Sequence, residues 1–180
     1  MSHRLFFGIR PPAALRDALI DTMDDIENAR WQDDDQLHLT LLFVGEVDAH
    51  RADDLAEAAS RIAFDPFDLR IRGCDTFAKK GVPRLLYARV EDSERLERLS
   101  RKLSRLAERC GIELDARKFV PHVTLARLNL SSGPTGRFLA RHADLALGPW
   151  HVDSYMLFES HLREHGSLYQ PVVTYPARTP

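Results

Sequence analysis

His38-Leu39-Thr40-Leu41 and His122-Val123-Thr124-Leu125 are two copies of one pattern, His-apolar-Thr-apolar, set 84 positions apart. Both lie in apolar runs that read as strands. Successive side chains of a strand point to opposite faces, so His and Thr, two apart, share one face and the apolar pair shares the other. Each copy therefore buries Leu39 and Leu41, or Val123 and Leu125, and presents an imidazole beside a hydroxyl. Two such strands across a cleft supply one general acid, one general base and two hydroxyl donors.

Outward from the motifs, the same order of elements occurs twice. A strand is expected at 5–9, and Pro11-Pro12 marks a helix start. Leu15, Leu19, Met23 and Ile26 recur at helical spacing, predicting a helix to about Asn28. The first His-Thr strand spans about 37–44 and ends at Gly45; a helix at about 49–62 and a strand at about 67–77 come next. Past the turn-prone segment 78–83, a strand is expected at 84–90 and a helix at 93–110. That helix carries Leu96, Leu99, Leu103 and Leu106 on one face, with Gly111 as its stop. The second His-Thr strand spans about 118–128, a short helix 136–141 and a closing strand 151–158. A period this long implies two similar lobes, and no Pro/Gly/Ser linker separates them. The expected class is α+β: two pseudo-twofold-related lobes, each an antiparallel sheet with helices on its outer face, around a central catalytic cleft. One bilobal domain over 1–180 results, its repeat halves (about 1–77 and 84–158) not independent.

Composition bounds the partners. The net charge of −2 provides no global field toward nucleic acid or membrane, so any phosphate binding must be local. Lysine occurs only at Lys79, Lys80, Lys102 and Lys118; the remaining basic residues are arginine, which binds phosphate through paired hydrogen bonds. Cys74 and Cys110 form neither a disulfide framework nor a metal site by spacing, which points to a reduced, cytoplasmic setting. The apolar run at the start is too short for a signal-peptide core or a membrane span. A monomer is expected.

Histidine exchanges protons near neutral pH. A pair held in opposite protonation states deprotonates a nucleophile and protonates a leaving group, each step contributing roughly 10²–10⁴-fold in rate. In-line displacement at phosphorus suits this pair, because attacking and leaving oxygens lie on opposite sides. Two threonine hydroxyls then serve the non-bridging oxygens. No metal or other cofactor is needed, and a strained cyclic phosphodiester is an apt substrate.

These residues resemble the 2H phosphoesterase superfamily, and within it the RNA 2′,3′-cyclic phosphodiesterases, also called 2′-5′ RNA ligases. The likeness runs through Arg4-Leu5-Phe6-Phe7, Arg30-Trp31, the stretch from His38 to Gly45, Pro66-Phe67-Asp68-Leu69, Phe77, and Pro83 to Tyr87. It is strongest over Phe119-Val120-Pro121-His122-Val123-Thr124-Leu125-Ala126-Arg127 and closes at Leu157-Phe158-Glu159-Ser160. The resemblance implies hydrolysis of an RNA terminal 2′,3′-cyclic phosphate to a 2′-phosphomonoester. It makes His38 the proton donor, His122 the proton acceptor, and Thr40 and Thr124 the phosphate-binding hydroxyls. The near-symmetric motif does not itself say which histidine is which. The resemblance further suggests that Phe43 and Arg127, each five residues after its histidine, contact the nucleotide. Strict alternation places position +5 on the face opposite His and Thr, so either the strand twists there or these residues are structural. Another 2H activity (2′-5′ RNA ligation or cleavage, or a nucleotide cyclic phosphodiesterase) and a non-catalytic module binding RNA ends are the competing readings. Intact His38, Thr40, His122 and Thr124 argue against the last.

Weaker signals are read as ordinary surface. His161-x₃-His165 has zinc-like spacing but lacks a third ligand and is expected in an exposed loop. Lys79-Lys80 is read as a solvated hairpin turn, and Asp33-Asp34-Asp35 as a hydrated run.

Overall fold

The structure, a computed structural model, describes residues 1–179. Nine strands and four helices succeed one another as β1 (Ser2–Ile9), α1 (Ala13–Ile20), β2 (Arg30–Trp31), a 3-10 turn (Asp34–Gln36), β3 (Leu39–Asp48), α2 (Ala49–Ala59) and β4 (Phe67–Lys79). Then come β5 (Val82–Val90), α3 (Glu94–Arg109), β6 (His122–Arg127), α4 (Gly136–Arg141), β7 (Ala146–Val152), β8 (Ser154–Arg163) and β9 (Gly166–Pro176). No helix among the described residues is long and apolar enough to cross a membrane.

All strand pairs are antiparallel, in the order β7-β4-β5-β6-β3-β1-β8-β9, with β2 beside β6. The path divides into two four-stranded half-sheets, β7-β4-β5-β6 and β3-β1-β8-β9. They touch at one ladder pair, Leu39 opposite Val123. The α+β class and the paired antiparallel lobes are thus present. The halves of the chain are interleaved, however. Strand β4, from the first half, pairs with β5 and β7, while β8, from the second, pairs with β1. One continuous apolar core runs through both half-sheets, from Phe7 and Leu39 to Leu86, Val123 and Trp150. Helices α2 and α3 pack on β3, α1 on β7 and α4 on β4.

Element boundaries differ from the sequence expectation, most clearly in four places, the first being β3, which does not end at Gly45 but runs through it, paired with Leu5 of β1, to Asp48. Helix α1 stops at Ile20 rather than Asn28: Thr22 Oγ1 donates to the Leu19 carbonyl at 2.7 Å, and Asp25 and Asn28 take positive φ (63° and 53°). Asn and Asp tolerate that conformation, which no helix continues through. Met23 and Ile26 still reach the core, so the apolar spacing persists through a turn. Strand β6 begins at His122, since Pro121 has no N–H to give a ladder. The single closing strand is two, β7 and β8, broken at Asp153 and assigned to different half-sheets, and β9 comes after them as an unexpected edge strand. Pro171 lies within β9 and only Tyr175 of its residues is buried, so it lacks the alternation that marks a half-buried strand.

Lys79 and Lys80 lie at the β4–β5 hairpin, where Lys80 and Gly81 both take positive φ (52° and 77°), the geometry of a two-residue type I′ turn. His161 and His165 are exposed at the β8–β9 end, and the described residues contain no cluster of three metal-ligating side chains. Asp34 is not simply hydrated: Arg10 and Arg16 pair with it at 3.2 and 2.8 Å. The Arg16 hydrogen bond holds its carboxyl below the usual carboxylate range. Those pairs anchor the 3-10 turn that delivers the chain to His38.

Candidate catalytic cleft

The Leu39–Val123 pair is the pivot of the site. Antiparallel pairing at one point relates the two strands by a local twofold, with His38 and His122 one residue before it and Thr40 and Thr124 one after. All four side chains line one cavity of about 250 Å³, and Phe43 and Arg127 line it with them.

Position +5 reaches the cavity through two matching β-bulges. In the β1–β3 ladder Phe7 faces Leu42 and Gly8 faces Thr40, so Leu41 is the extra residue. In the β5–β6 ladder Leu86 faces Ala126 and Tyr87 faces Thr124, so Leu125 is extra. One inserted residue reverses the alternation and re-aims the side chains beyond it. Phe43 is therefore 44% exposed on the His-Thr face while Leu41 is buried. Arg127 is likewise exposed and Leu125 buried. Each bulge carbonyl has a donor. Ser100 Oγ, from α3, donates to the Leu41 carbonyl at 2.7 Å. The Gln32 N–H, just past β2, donates to the Leu125 carbonyl at 2.8 Å.

Both imidazoles are held in one tautomer. Nδ1 of His38 donates to the Gln36 carbonyl at 2.7 Å, and Nδ1 of His122 to the Val120 carbonyl at 2.6 Å. A carbonyl only accepts, so Nδ1 carries the hydrogen and Nε2 of the neutral ring is left with its lone pair. Stacked ring pairs from matching strands support each histidine. Phe6 (β1) and Phe158 (β8), 4.9 Å apart, lie against His38; Tyr87 (β5) and Phe77 (β4), 4.3 Å apart, lie against His122.

The copies differ in three ways. Thr40 Oγ1 lies 3.0 Å from His38 Nε2 and donates to it when the ring is neutral. Tyr169 of β9 adds an edge contact to His38 at 4.9 Å. Burial pushes the His38 imidazole down to about 4; the Gln36 carbonyl opposes this, and the His122 and Arg127 charges add to it. Burial also lowers His122, against the Val120 carbonyl. Both rings are thus neutral in the empty cleft near pH 7, and one must gain a proton before it can act as an acid.

Arg4, Gln32, Ser160 and Tyr169 also line the cavity and were not foreseen. Arg4 carried a signal: two residues before Phe6, it shares that face of β1, and its guanidinium lies 5.4 Å from the Phe43 ring centroid. Tyr169 carried none, because β9 was not legible as a strand. Trp31 is only partly buried, whereas Trp150 is fully enclosed. Cys74 and Cys110 are both free.

A family model described as the 2′-5′ RNA ligase superfamily matches residues 11–161. A protein of Thermus thermophilus named RNA 2′,3′-cyclic phosphodiesterase is 32% identical over 92% of this chain and 86% of its own length. One of the same name from Archaeoglobus fulgidus is 24% identical over 93% and 96%. The crystal structure of E. coli LigT complexed with 3′-AMP superposes with a TM-score of 0.77 at 25% identity, covering 98% of this chain and 99% of that one. With the doubled motif at the junction of its two half-sheets, the chain belongs to the 2′-5′ RNA ligase superfamily, the 2H phosphoesterases.

Proposed function

We propose that the protein hydrolyses the terminal 2′,3′-cyclic phosphate of RNA to a 2′-phosphomonoester, with His122 as proton acceptor and His38 as proton donor and with no metal. The observation that carries this reading is the pair of imidazoles, each tied through Nδ1 to the backbone carbonyl two residues before it so that Nε2 is left for one shared cavity. The names of the Thermus and Archaeoglobus relatives support the substrate class. His122 Nε2 takes a proton from water as its oxygen attacks phosphorus; the P–O3′ bond breaks in line, and His38 Nε2 protonates the departing O3′. Thr40, Thr124 and Arg127 donate to the non-bridging oxygens as charge develops. Phe43 offers a face for the terminal base. All of these groups come from one chain, so a monomer in the cytoplasm suffices.

The test is hydrolysis of adenosine 2′,3′-cyclic phosphate in the presence of chelator, with the product isomer resolved. The 2′-phosphate is expected, together with near-complete loss of turnover in His38→Ala and His122→Ala. Undiminished turnover in both variants would refute the mechanism; a 3′-phosphate product would refute the regiochemistry.

A further inference from the structure

The catalytic cavity continues past Arg127. An adjoining cavity of about 300 Å³ shares Arg4, Gln32, Arg127 and Tyr169 with it and is walled by Arg30 and Trp31 of β2 and Arg163 of β8. Arg30 lies directly opposite Arg127 in the β2–β6 ladder. Like charges directly opposed on antiparallel strands repel and cost stability, so the arrangement calls for an anion between or beside them. Neither guanidinium has a carboxylate within salt-bridge distance among the described residues. Among the described residues Arg4, Arg30, Arg127 and Arg163 make no salt bridge; arginines elsewhere, such as Arg84 and Arg105, also lack one, so it is the gathering of four around one cavity that is distinctive. Asp33 is the acidic residue of the same wall, and its exposed carboxylate makes no salt bridge to these arginines.

We propose that this annex is a second phosphate subsite that takes the 5′-phosphate of the terminal nucleotide, and hence the next phosphodiester of an RNA strand. The inference rests on the reading of the cleft as a 2′,3′-cyclic phosphate site. Chemistry selects the 5′-phosphate: with O2′ and O3′ closed in the ring at the catalytic residues, the 5′ oxygen is the remaining ester position of that ribose. Guanidinium groups from neighbouring strands bind one phosphate through paired, charge-assisted hydrogen bonds. The substrate class is thereby narrowed to RNA ends, with mononucleoside cyclic phosphates left as poor substrates that fill only half the groove.

The test compares kcat/KM for adenosine 2′,3′-cyclic phosphate with that for the same compound bearing a 5′-phosphate, at low ionic strength. The wild type is expected to prefer the 5′-phosphorylated form by about 10- to 100-fold, the span of hydrogen bonds to a charged group. Arg30→Met should bring the ratio toward one, and Arg30→Lys should retain part of it. A wild-type ratio near one, or a full preference surviving in Arg30→Met, overturns the proposal. Calorimetric affinities for adenosine 2′-phosphate and adenosine 2′,5′-bisphosphate separate the two readings. If no cyclic phosphate is hydrolysed, the functional reading fails. An Arg30-dependent gap between the two affinities would still uphold the subsite, and its absence would sink it.

Discussion

His38 must carry a proton to serve as the acid, yet burial holds its imidazole at about 4 in the empty cleft. At pH 7 roughly one molecule in a thousand is then protonated there. The substrate itself brings the remedy. A phosphodiester anion about 4 Å from the ring contributes about 4 kcal/mol at an effective dielectric of about 20. At 1.36 kcal/mol per pK unit this raises the imidazole by about 3 units, back to about 7. Substrate binding and arming of the acid are therefore one event, and Thr40, which donates to His38 Nε2 beforehand, is released to the phosphate. Histidine-resolved NMR titration checks this: a midpoint for His38 near 4 in the free protein, rising by two to three units with adenosine 2′-phosphate bound. A free midpoint near the ordinary 6.5, or a rise of less than one unit on binding, refutes the reasoning. Stability carries the same signature. The folded value lies below the unfolded one, so the stability contributed by neutral His38 is present above pH 6.5 and is lost as pH falls from 6.5 toward 4. Between pH 7 and pH 5 the loss from this group is about 2 kcal/mol, and His38→Gln should lack that part of the acid sensitivity in urea unfolding.

Removing the hydroxyl that satisfies the first bulge, in Ser100→Ala, strands the buried Leu41 carbonyl; urea unfolding should show a loss of about 1–3 kcal/mol, and an unchanged midpoint would dismiss this account of the bulge. A Cβ on Gly8 would lie 2.9 Å from the Leu39 carbonyl and 3.4 Å from the Phe158 ring. Gly8→Ala should therefore lower stability by about 1–3 kcal/mol in thermal unfolding and disturb the rings under His38, visible as shifted His38 NMR resonances. Phe43→Ala should raise KM for the cyclic phosphate about tenfold through lost stacking while changing the melting temperature little, since Phe43 is nearly half exposed and outside the core. Arg127→Met should cost about 10²-fold in kcat/KM and raise the free His38 midpoint, because the Arg127 charge opposes protonation of that ring; a midpoint that stays put would remove Arg127 from the electrostatics of the site.

The grouping of His38, Thr40, His122 and Thr124 was legible because its signal is local. Period-two alternation puts His38 with Thr40 and His122 with Thr124 on one face whatever surrounds them, and the burial of Leu39, Leu41, Val123 and Leu125 comes from the same rule. Phe43 and Arg127 show where that rule stops. Alternation alone sends them to the core side, and only the bulges at Leu41 and Leu125 turn them to the cavity. A bulge depends on what lies across the ladder and on a distant donor for the freed carbonyl, here Ser100 and Gln32, so no window of sequence contains it.

From residues alone come the doubled motif, the antiparallel lobes with their helices, and the kind of chemistry two histidines and two hydroxyls can perform. Tertiary structure decided the rest: the exchange of β4 and β8 between half-sheets, the single Leu39–Val123 contact that brings the motifs together, and the edge strand β9 with Tyr169. It also set Arg30 opposite Arg127, 97 positions away in the chain, and buried His38 deeply enough to strip its proton. Side-chain direction along a strand is governed by neighbouring covalent geometry, which the sequence carries with it. Pairing partners, desolvation and charge proximity are set by groups far apart along the chain, and they exist only once it has folded.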